Sequence, residues 1–516
     1  MKRVLLSILA TGIMQSAASQ QYIVINGAAP ILADDVEKIT YESDEQFMST
    51  MLDSRLEADA KTQLFSQALK LTGLADTLKA YWKDYQYDGP EKYYYKSHVR
   101  KEAAYYLKTR PRMFTVFAET DDVFAANGIN NIQQLKAYAK QVYDVVYPED
   151  ANVSDPTNRR NSLNRFVAYH ILKHGSTYAY LTAYDGDSPY GLQHDFNRNL
   201  ADIASWYATL MPYASLKCSY PDAGEESGVY LNRRGLKAGP DKYGVQVRGA
   251  KVVGESIDDK TIYEHKAFNG YYYYIDQILT YNQQARDVVL GGERWRVNTR
   301  TLTPDVMNAY KREYYWSSTD SNLTDENINF YRDKNIILTW DAIENFSNTI
   351  QNPGLVFHYP NELYPSYEND NIEIFGDFDM SVKLPPMPAG EWEIRLGKSG
   401  MGNNPDVRIW LNGNLTIDSL ATSDSYQEGV ERPYKVMNGP KDCGVKRDFE
   451  FGFIPFSEMN HTARFVLGRI QSNGKDDNYL RIKTRNDDQN VVKEFMFDYL
   501  ELCPAAICDN QEIPEE

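Results

Sequence analysis

The stretch Phe114-Thr-Val-Phe-Ala-Glu-Thr-Asp-Asp-Val-Phe124 changes character halfway along. Its first half, with Met113 before it and Pro111 just upstream, is an apolar burst of β-forming residues, and it predicts a buried strand. Asp121 and Asp122 then predict the capped start of a helix that begins at Val123-Phe124. Upstream, an acidic stretch over residues 44–83 reads as helical. Leu64, Phe65, Ala68, Leu69 and Leu71 recur at helical spacing, Gly73 offers a stop, and residues 74–82 repeat the pattern. Downstream, Leu163, Phe166, Val167, Tyr169, His170 and Leu172 predict a further helix. From about residue 229 the texture turns to short strands, and the last is Gly270-Tyr-Tyr-Tyr-Tyr-Ile-Asp276. Period-two alternation puts two of its four tyrosines on each face, one pair buried and the other buried or exposed.

Three of these pieces, in this order, resemble a fasciclin-like domain. Phe114 to Phe124 is similar to the family's first motif, and Thr115 lies within it. Tyr169-His170, in Phe166-Val-Ala-Tyr-His-Ile-Leu172, resembles its central Tyr-His pair. Asn269-Gly270 and the tyrosine run resemble its closing strand. The resemblance covers residues 57–282, after a lead segment at 20–56. It implies an α+β fold, a wedge of strands with flanking helices, serving adhesion and matrix contacts. Glu119 departs from the pattern, because the family usually has proline there. Long insertions near residues 148–161 and 185–195 are where a binding specificity would sit.

An ordered connector is expected over residues 283–334, and beyond it the chain reads as all-β. Residues 391–396 alternate, with Trp392, Ile394 and Leu396 on one face and Glu391, Glu393 and Arg395 on the other, which predicts a half-buried strand. Val407-Arg-Ile-Trp-Leu-Asn-Gly-Asn-Leu-Thr-Ile417 is a hairpin, turning at Asn412-Gly413 where positive φ is needed. Residues 464–468, 479–483 and 494–502 add strands, and the sum predicts a β-sandwich. Leu384-Pro-Pro-Met-Pro-Ala-Gly-Glu-Trp-Glu-Ile-Arg-Leu-Gly397 and Phe497-Asp-Tyr-Leu-Glu-Leu502 resemble the jelly-roll module that follows fasciclin-like domains in exported proteins of Bacteroides-type bacteria. That module is similar to galactose-binding-like and carbohydrate-binding domains. It spans residues 335–503 here, and an acidic tail follows at 504–516.

The first 19 residues carry a positive start, an apolar run and small residues at Ala17, Ala18 and Ser19. That order predicts a secretory signal peptide, with an apolar part too short for a permanent anchor. No second long apolar stretch follows, so no transmembrane segment is expected. No cysteine precedes Cys218, so lipid attachment at the start of the mature chain is not expected. Export would leave the protein in the periplasm, at the cell surface or outside the cell. The formal charge of −17, falling to −19 without Lys2 and Arg3, argues against nucleic-acid partners. Cys218, Cys443, Cys503 and Cys508 are too few and scattered for a disulfide scaffold or a zinc site. Cys503 and Cys508 could close a small loop or remain free, and three pairings are open.

Catalytic constellations do not emerge. His170 and His174 would share a helix face and could chelate a metal, but the glutamate of a metalloprotease helix is missing, and a core role for His170 is the stronger reading. The acidic pairs are sequence neighbours and read as solvated charge rather than a glycosidase dyad. No metal and no cofactor is implied. The remaining hint is aromatic: 40 tyrosines and 7 tryptophans offer flat apolar area with a polar handle. Trp410 shares a strand face with Arg408 and Asn412 and is a candidate ligand platform, unless a second layer covers that face. Trp392 falls on the core side by the same test. The expected function is non-catalytic binding of a glycan or a surface or matrix protein in the cell envelope. The rivals are a capture component of a polysaccharide utilisation system and an unrecognised glycoside hydrolase.

Overall fold

The computed structural model describes residues 22–23, 31–32, 50–79, 113–182, 202–221, 227–235, 245–257, 260–302, 343–348, 355–358, 371–375, 377–398, 405–421, 436–437, 463–485 and 494–510. The expected signal peptide, the 185–195 insertion and most of the expected connector lie outside these residues. The chain divides into two units, Met1–Thr50 and Met51–Glu516. In the first, β1 (Tyr22–Ile23) pairs antiparallel with β2 (Ile31–Leu32).

The second unit opens with three short helices, α1 (Leu52–Ala58), α2 (Gln63–Leu71) and α3 (Leu74–Leu78). Gly73 separates the last two at φ +69°, a left-handed conformation that favours glycine. Strand β3 (Phe114–Glu119) is buried throughout. The helix after it, α4 (Asp121–Ala126), is capped by the Thr120 hydroxyl rather than by Asp121 or Asp122. Asp121 serves a different helix, accepting from the Leu64 N–H at the start of α2 (2.9 Å). Helices α5 (Ile132–Val146) and α6 (Ser162–Tyr169) follow, each capped by an asparagine, Asn131 and Asn161.

The last of these helices is shorter than its periodicity predicts. The chain leaves it at His170, and β4 (Ile171–Leu172) pairs with Val116 and Thr115 of β3. His170 and His174 therefore do not share a helix face, which removes the expected chelating geometry. Strands β5 (Asp202–Ala208), β6 (Ser215–Pro221), β7 (Tyr230–Leu231), β8 (Ala250–Val253), β11 (His265–Ala267) and β12 (Gly270–Ile275) complete an eight-stranded sheet with β3 and β4. A separate ribbon joins β9 (Glu255–Ile257) to β10 (Lys260–Ile262). Strand β12 runs parallel to β3, with Gly270 opposite Phe114. A Cβ on Gly270, at φ +144°, would fall onto the Phe114 carbonyl. No exposed tyrosine pair results on β12: Tyr272, Tyr273 and Tyr274 are all buried, and the hydroxyls of Tyr272 and Tyr274 bond Asp59.

After a π-helical turn at Gln284–Leu290 come β13 (Trp295–Asn298) and α7 (Thr299–Leu302). The remaining strands are β14 (Ile343–Asn348), β15 (Leu355–His358), β16 (Asn371–Phe375), β17 (Phe378–Lys383), β18 (Gly390–Lys398), β19 (Asp406–Leu411), β20 (Asn414–Ala421), β21 (Val436–Met437), β22 (Ala463–Ser472), β23 (Tyr479–Thr484), β24 (Glu494–Phe497) and β25 (Tyr499–Pro504). A short helix, α8 (Ala505–Cys508), ends them. One five-stranded sheet has the order β13-β25-β18-β22-β21 and another β14-β17-β23-β19-β20, beside a three-stranded sheet β15-β16-β24. Every pairing in all three is antiparallel. The two larger sheets form two layers: a Cβ on Gly468 of β22 would touch Leu411 and Thr416 of the opposing hairpin. Trp392, Ile394, Leu396, Ile409, Leu411 and Ile482 fill the space between.

Two expectations change here. Residues 295–298, placed in a connector by sequence, form an edge strand of the sandwich, with Trp295 opposite Leu502. Strand β18 is not half-buried along its length, because most of its charged face is covered as well: Arg395 has no exposure and Glu393 very little, while Glu391 at its start stays exposed. The reason is Glu501 of β25, buried within reach of Arg395 (2.7 Å), Arg464 (2.7 Å), Arg296 (3.4 Å) and Arg294 (3.5 Å). Burial alone would raise that carboxyl's pKa, but the guanidiniums of Arg464, Arg294, Arg395 and Arg296 hold it far below its ordinary 4.5. Charge compensation from distant strands is what lets this face leave water.

The two β regions of this unit are joined by buried aromatic contacts. Trp206 of β5 stacks on Trp295 of β13 (6.0 Å between centroids, 10° between planes), and Trp295 meets the edge of Trp392 of β18 (5.2 Å, 67°). The Ser215 hydroxyl donates to the Pro386 carbonyl (2.8 Å), and Lys217 pairs with Glu293.

Candidate ligand-binding face

Strand β19 alternates as its sequence requires. Val407, Ile409 and Leu411 are buried, while Arg408 and Trp410 are half-buried on the opposite face. The hairpin turns at Asn412 (φ +48°) and Gly413 (φ +79°), the left-handed pair that suits the strand twist. Asn412 is not free for a ligand: its side chain accepts from the Tyr479 N–H (2.9 Å) and donates to Asn478 (2.8 Å).

Register decides what surrounds Trp410. Arg481 of β23 lies opposite it on one side and Leu415 of β20 on the other. The Arg481 guanidinium sits 4.7 Å from the centre of the indole, a cation–π contact worth about 0.5–1 kcal/mol at a site like this. Arg481 also grips Asp379 of β17 with two parallel bonds (2.7 and 2.6 Å), and Lys483 adds a third contact (3.2 Å). The Arg481 bonds hold the Asp379 carboxyl below its usual range. Arg408 pairs with Asp418 (3.0 Å), and Leu415 is half exposed. The result is an indole with an apolar neighbour, framed by a fork of donors and two carboxylates. It can stack against a ring and exchange hydrogen bonds with its edges. A ligand ring on Trp410 either replaces the guanidinium or uses the part of the indole it leaves uncovered.

Thr115, Tyr169, His170 and Asn269 lie elsewhere, in the core beneath the eight-stranded sheet. Thr115 donates to the His174 carbonyl (2.7 Å) and accepts from the Ser176 N–H (2.9 Å). The Tyr169 hydroxyl bonds the Ser215 carbonyl (3.0 Å) and the Asn232 amide (2.9 Å), and burial pushes its pKa well up. The His170 ring is bonded on both nitrogens, to the Phe166 carbonyl (2.7 Å) and to the Glu119 carboxylate (2.8 Å). Glu119 also accepts from the Leu279 N–H (2.9 Å). Asn269 takes the Leu52 N–H (2.8 Å) and donates to the Leu78 carbonyl, tying α1 and α3 to the start of β12. All four positions thus serve packing.

Cys503 and Cys508 are thiols, Cys503 buried and Cys508 half-buried; Cys218 is buried, and Cys443 lies outside the described residues. Among the described residues, no group of three His, Cys, Asp or Glu side chains is placed to hold a metal ion. No described helix is long and apolar enough to cross a membrane.

The sequence places Trp410 and Arg408 on one strand face, and the structure sets Arg481, Asp379 and Leu415 beside them. The places of Arg481 and Asp379, 102 positions apart, follow from pairings between distant strands that no local signal marks, whereas Leu415 sits across the same Asn-Gly hairpin as Trp410.

No protein-family model matches this chain, and no curated protein does. Among solved structures, it is similar to a family 35 carbohydrate binding module from Clostridium thermocellum at 11% identity. That match covers 31% of this chain and 89% of the module, with a TM-score of 0.17. It is also similar to the insecticidal crystal protein Cry2Aa, at 10% identity over 90% of this chain and 84% of that one, with a TM-score of 0.19. At these scores neither likeness bears on fold or function.

Proposed function

We propose that this chain is an exported, non-catalytic binding protein that holds a glycan on the outer face of the sheet carrying Trp410. One observation carries the reading: a half-buried indole stands on an outward strand face, with an exposed leucine beside it and paired arginine and aspartate side chains at its rim. Sugars offer an apolar C–H face and a polar edge, and this arrangement is complementary to both. The alternation of the chain between two antiparallel layers supports a jelly-roll module. The convergence of Thr115, Tyr169, His170, Asn269 and Gly270 in one core supports a fasciclin-like domain before it. The leader at residues 1–19 supports export, into the periplasm or beyond.

A glycan array followed by titration calorimetry tests the binding face. Trp410→Ala is expected to weaken binding about tenfold, equivalent to about 1.4 kcal/mol, by removing the stacking surface. Arg408→Ala is expected to weaken it less. Affinity for soluble oligosaccharides would favour glycan capture over attachment through a protein partner. An array on which no glycan binds, or binding untouched by Trp410→Ala in a folded variant, sinks the assignment of this face.

A further inference from the structure

At the end of β25 the chain turns sharply at Pro504, and α8 brings Cys508 back over Cys503. The Cys508 Sγ lies 3.9 Å from the Cys503 carbonyl oxygen and 3.9 Å from that of Ala505, and the Cys503 Sγ lies 3.7 Å from the Pro504 carbonyl oxygen. This fold-back is held without any covalent bond. Arg469 of β22 reaches Asp509, at the end of α8, and Glu391 of β18 (3.1 Å), so α8 is pinned to the sheet. The same guanidinium approaches the Cys508 sulfur (3.9 Å). Cys503 has no exposure, whereas Cys508 keeps some.

We infer that Cys503 and Cys508 are a preorganised dithiol that closes to a disulfide by exchange with a low-molecular-weight disulfide such as oxidised glutathione. The balance is complete. Cys508, the thiol a reagent can reach, gives its proton to solvent and attacks one sulfur of the reagent. A mixed disulfide forms and one reagent thiolate leaves. The Cys503 thiolate then attacks the Cys508 sulfur, the intramolecular bond forms, and the second reagent thiolate departs. Two protein thiols are oxidised, one reagent disulfide is reduced, and the released protons end on the reagent thiolates.

Environment sets the pace of the two steps. In the reduced pair the neighbouring Cys508 thiol, against the opposing effect of burial and with help from Arg294 and Arg395, lowers the Cys503 pKa, and the Cys503 neighbour, with burial, raises that of Cys508. Partial burial of the Cys508 thiol slows the first attack, whereas the second is intramolecular between residues already folded against each other, so the mixed disulfide does not accumulate in the unmodified protein.

The test uses the full purified chain, reduced, then incubated with oxidised glutathione and mapped by mass spectrometry without reduction. The expected result is a peptide closed between Cys503 and Cys508, two hydrogens lighter and carrying no glutathione. Cys503→Ser should stop at a glutathione adduct on Cys508, because the resolving thiol is gone. Cys508→Ser should leave the buried Cys503 unmodified until the protein is denatured. Two outcomes overturn the inference: both thiols fully alkylatable after prolonged oxidation of the folded protein, or a bond from either cysteine to Cys218 or Cys443. Tryptophan fluorescence of each variant reports folding, and the unsubstituted protein alone suffices should a variant misfold.

Discussion

Glu119 and His170 illustrate how one residue's role depends on a partner far along the chain. Both are without exposure, and each bonds the other inside the core of the eight-stranded sheet. Glu119 is thereby bonded to the His170 ring and accepts the Leu279 N–H. Removing the ring strands a buried carboxylate and opens a cavity beside Phe65 and Phe166, whose rings lie 5.4 and 4.6 Å from it. His170→Ala is therefore expected to cost at least about 2 kcal/mol, read as a lowered midpoint in urea unfolding. Glu119→Gln keeps volume and an acceptor oxygen and should cost less. The reverse ranking would mean that the pair contributes little. Glu501 makes a second case, with a pH signature. Its folded pKa lies far below the unfolded one, so its stabilisation is complete above the ordinary 4.5 and is lost as the pH falls through and below that value. Glu501→Gln should lose on the order of 3–5 kcal/mol at neutral pH and flatten the acid limb of stability against pH, measured by denaturant titration from pH 7 to about 3.

Among the elements, β12 depends most on a single position. Gly270 lets it lie against β3 at the point where the Phe114 carbonyl comes closest. Gly270→Ala should unzip the parallel pair, seen as fast hydrogen exchange at Tyr271 to Ile275 while the sandwich stays protected; unchanged exchange would count against a steric role. How much of each element could be read from sequence follows from the range of the forces that make it. Strand β19 was legible residue by residue because alternation and an Asn-Gly turn are local properties. The side of the sheet that Trp410 faces was legible for the same reason. Its neighbours Arg481 and Asp379 were not, since register between distant strands put them there. Helix α6 was over-read because Leu172 continues the helical spacing while the chain has already turned to pair with Thr115. The charged side of β18 read as solvated because nothing near residues 391–396 announces Glu501.

For the whole molecule, the decisive contact is the run of Trp206, Trp295 and Trp392 between the eight-stranded sheet and the sandwich. All three rings are buried, so neither side can unfold without exposing apolar area on the other. Residues 51–516 should melt in one calorimetric transition, and Trp295→Ala, at about 3–5 kcal/mol, should lower it or split it in two. Two transitions in the unsubstituted protein would contradict this coupling. The membership of β13 in the sandwich carries a practical consequence for anyone who divides the chain. A fragment that starts at residue 335, where sequence alone places the boundary, would leave β13 behind and expose the backbone of β25 as a raw edge. Its unpaired amides and carbonyls, beside an uncovered Leu500 and Leu502, would recruit strands from other molecules. Such a fragment should aggregate more readily in light scattering than one that begins ahead of Glu293 and keeps β13 on that edge.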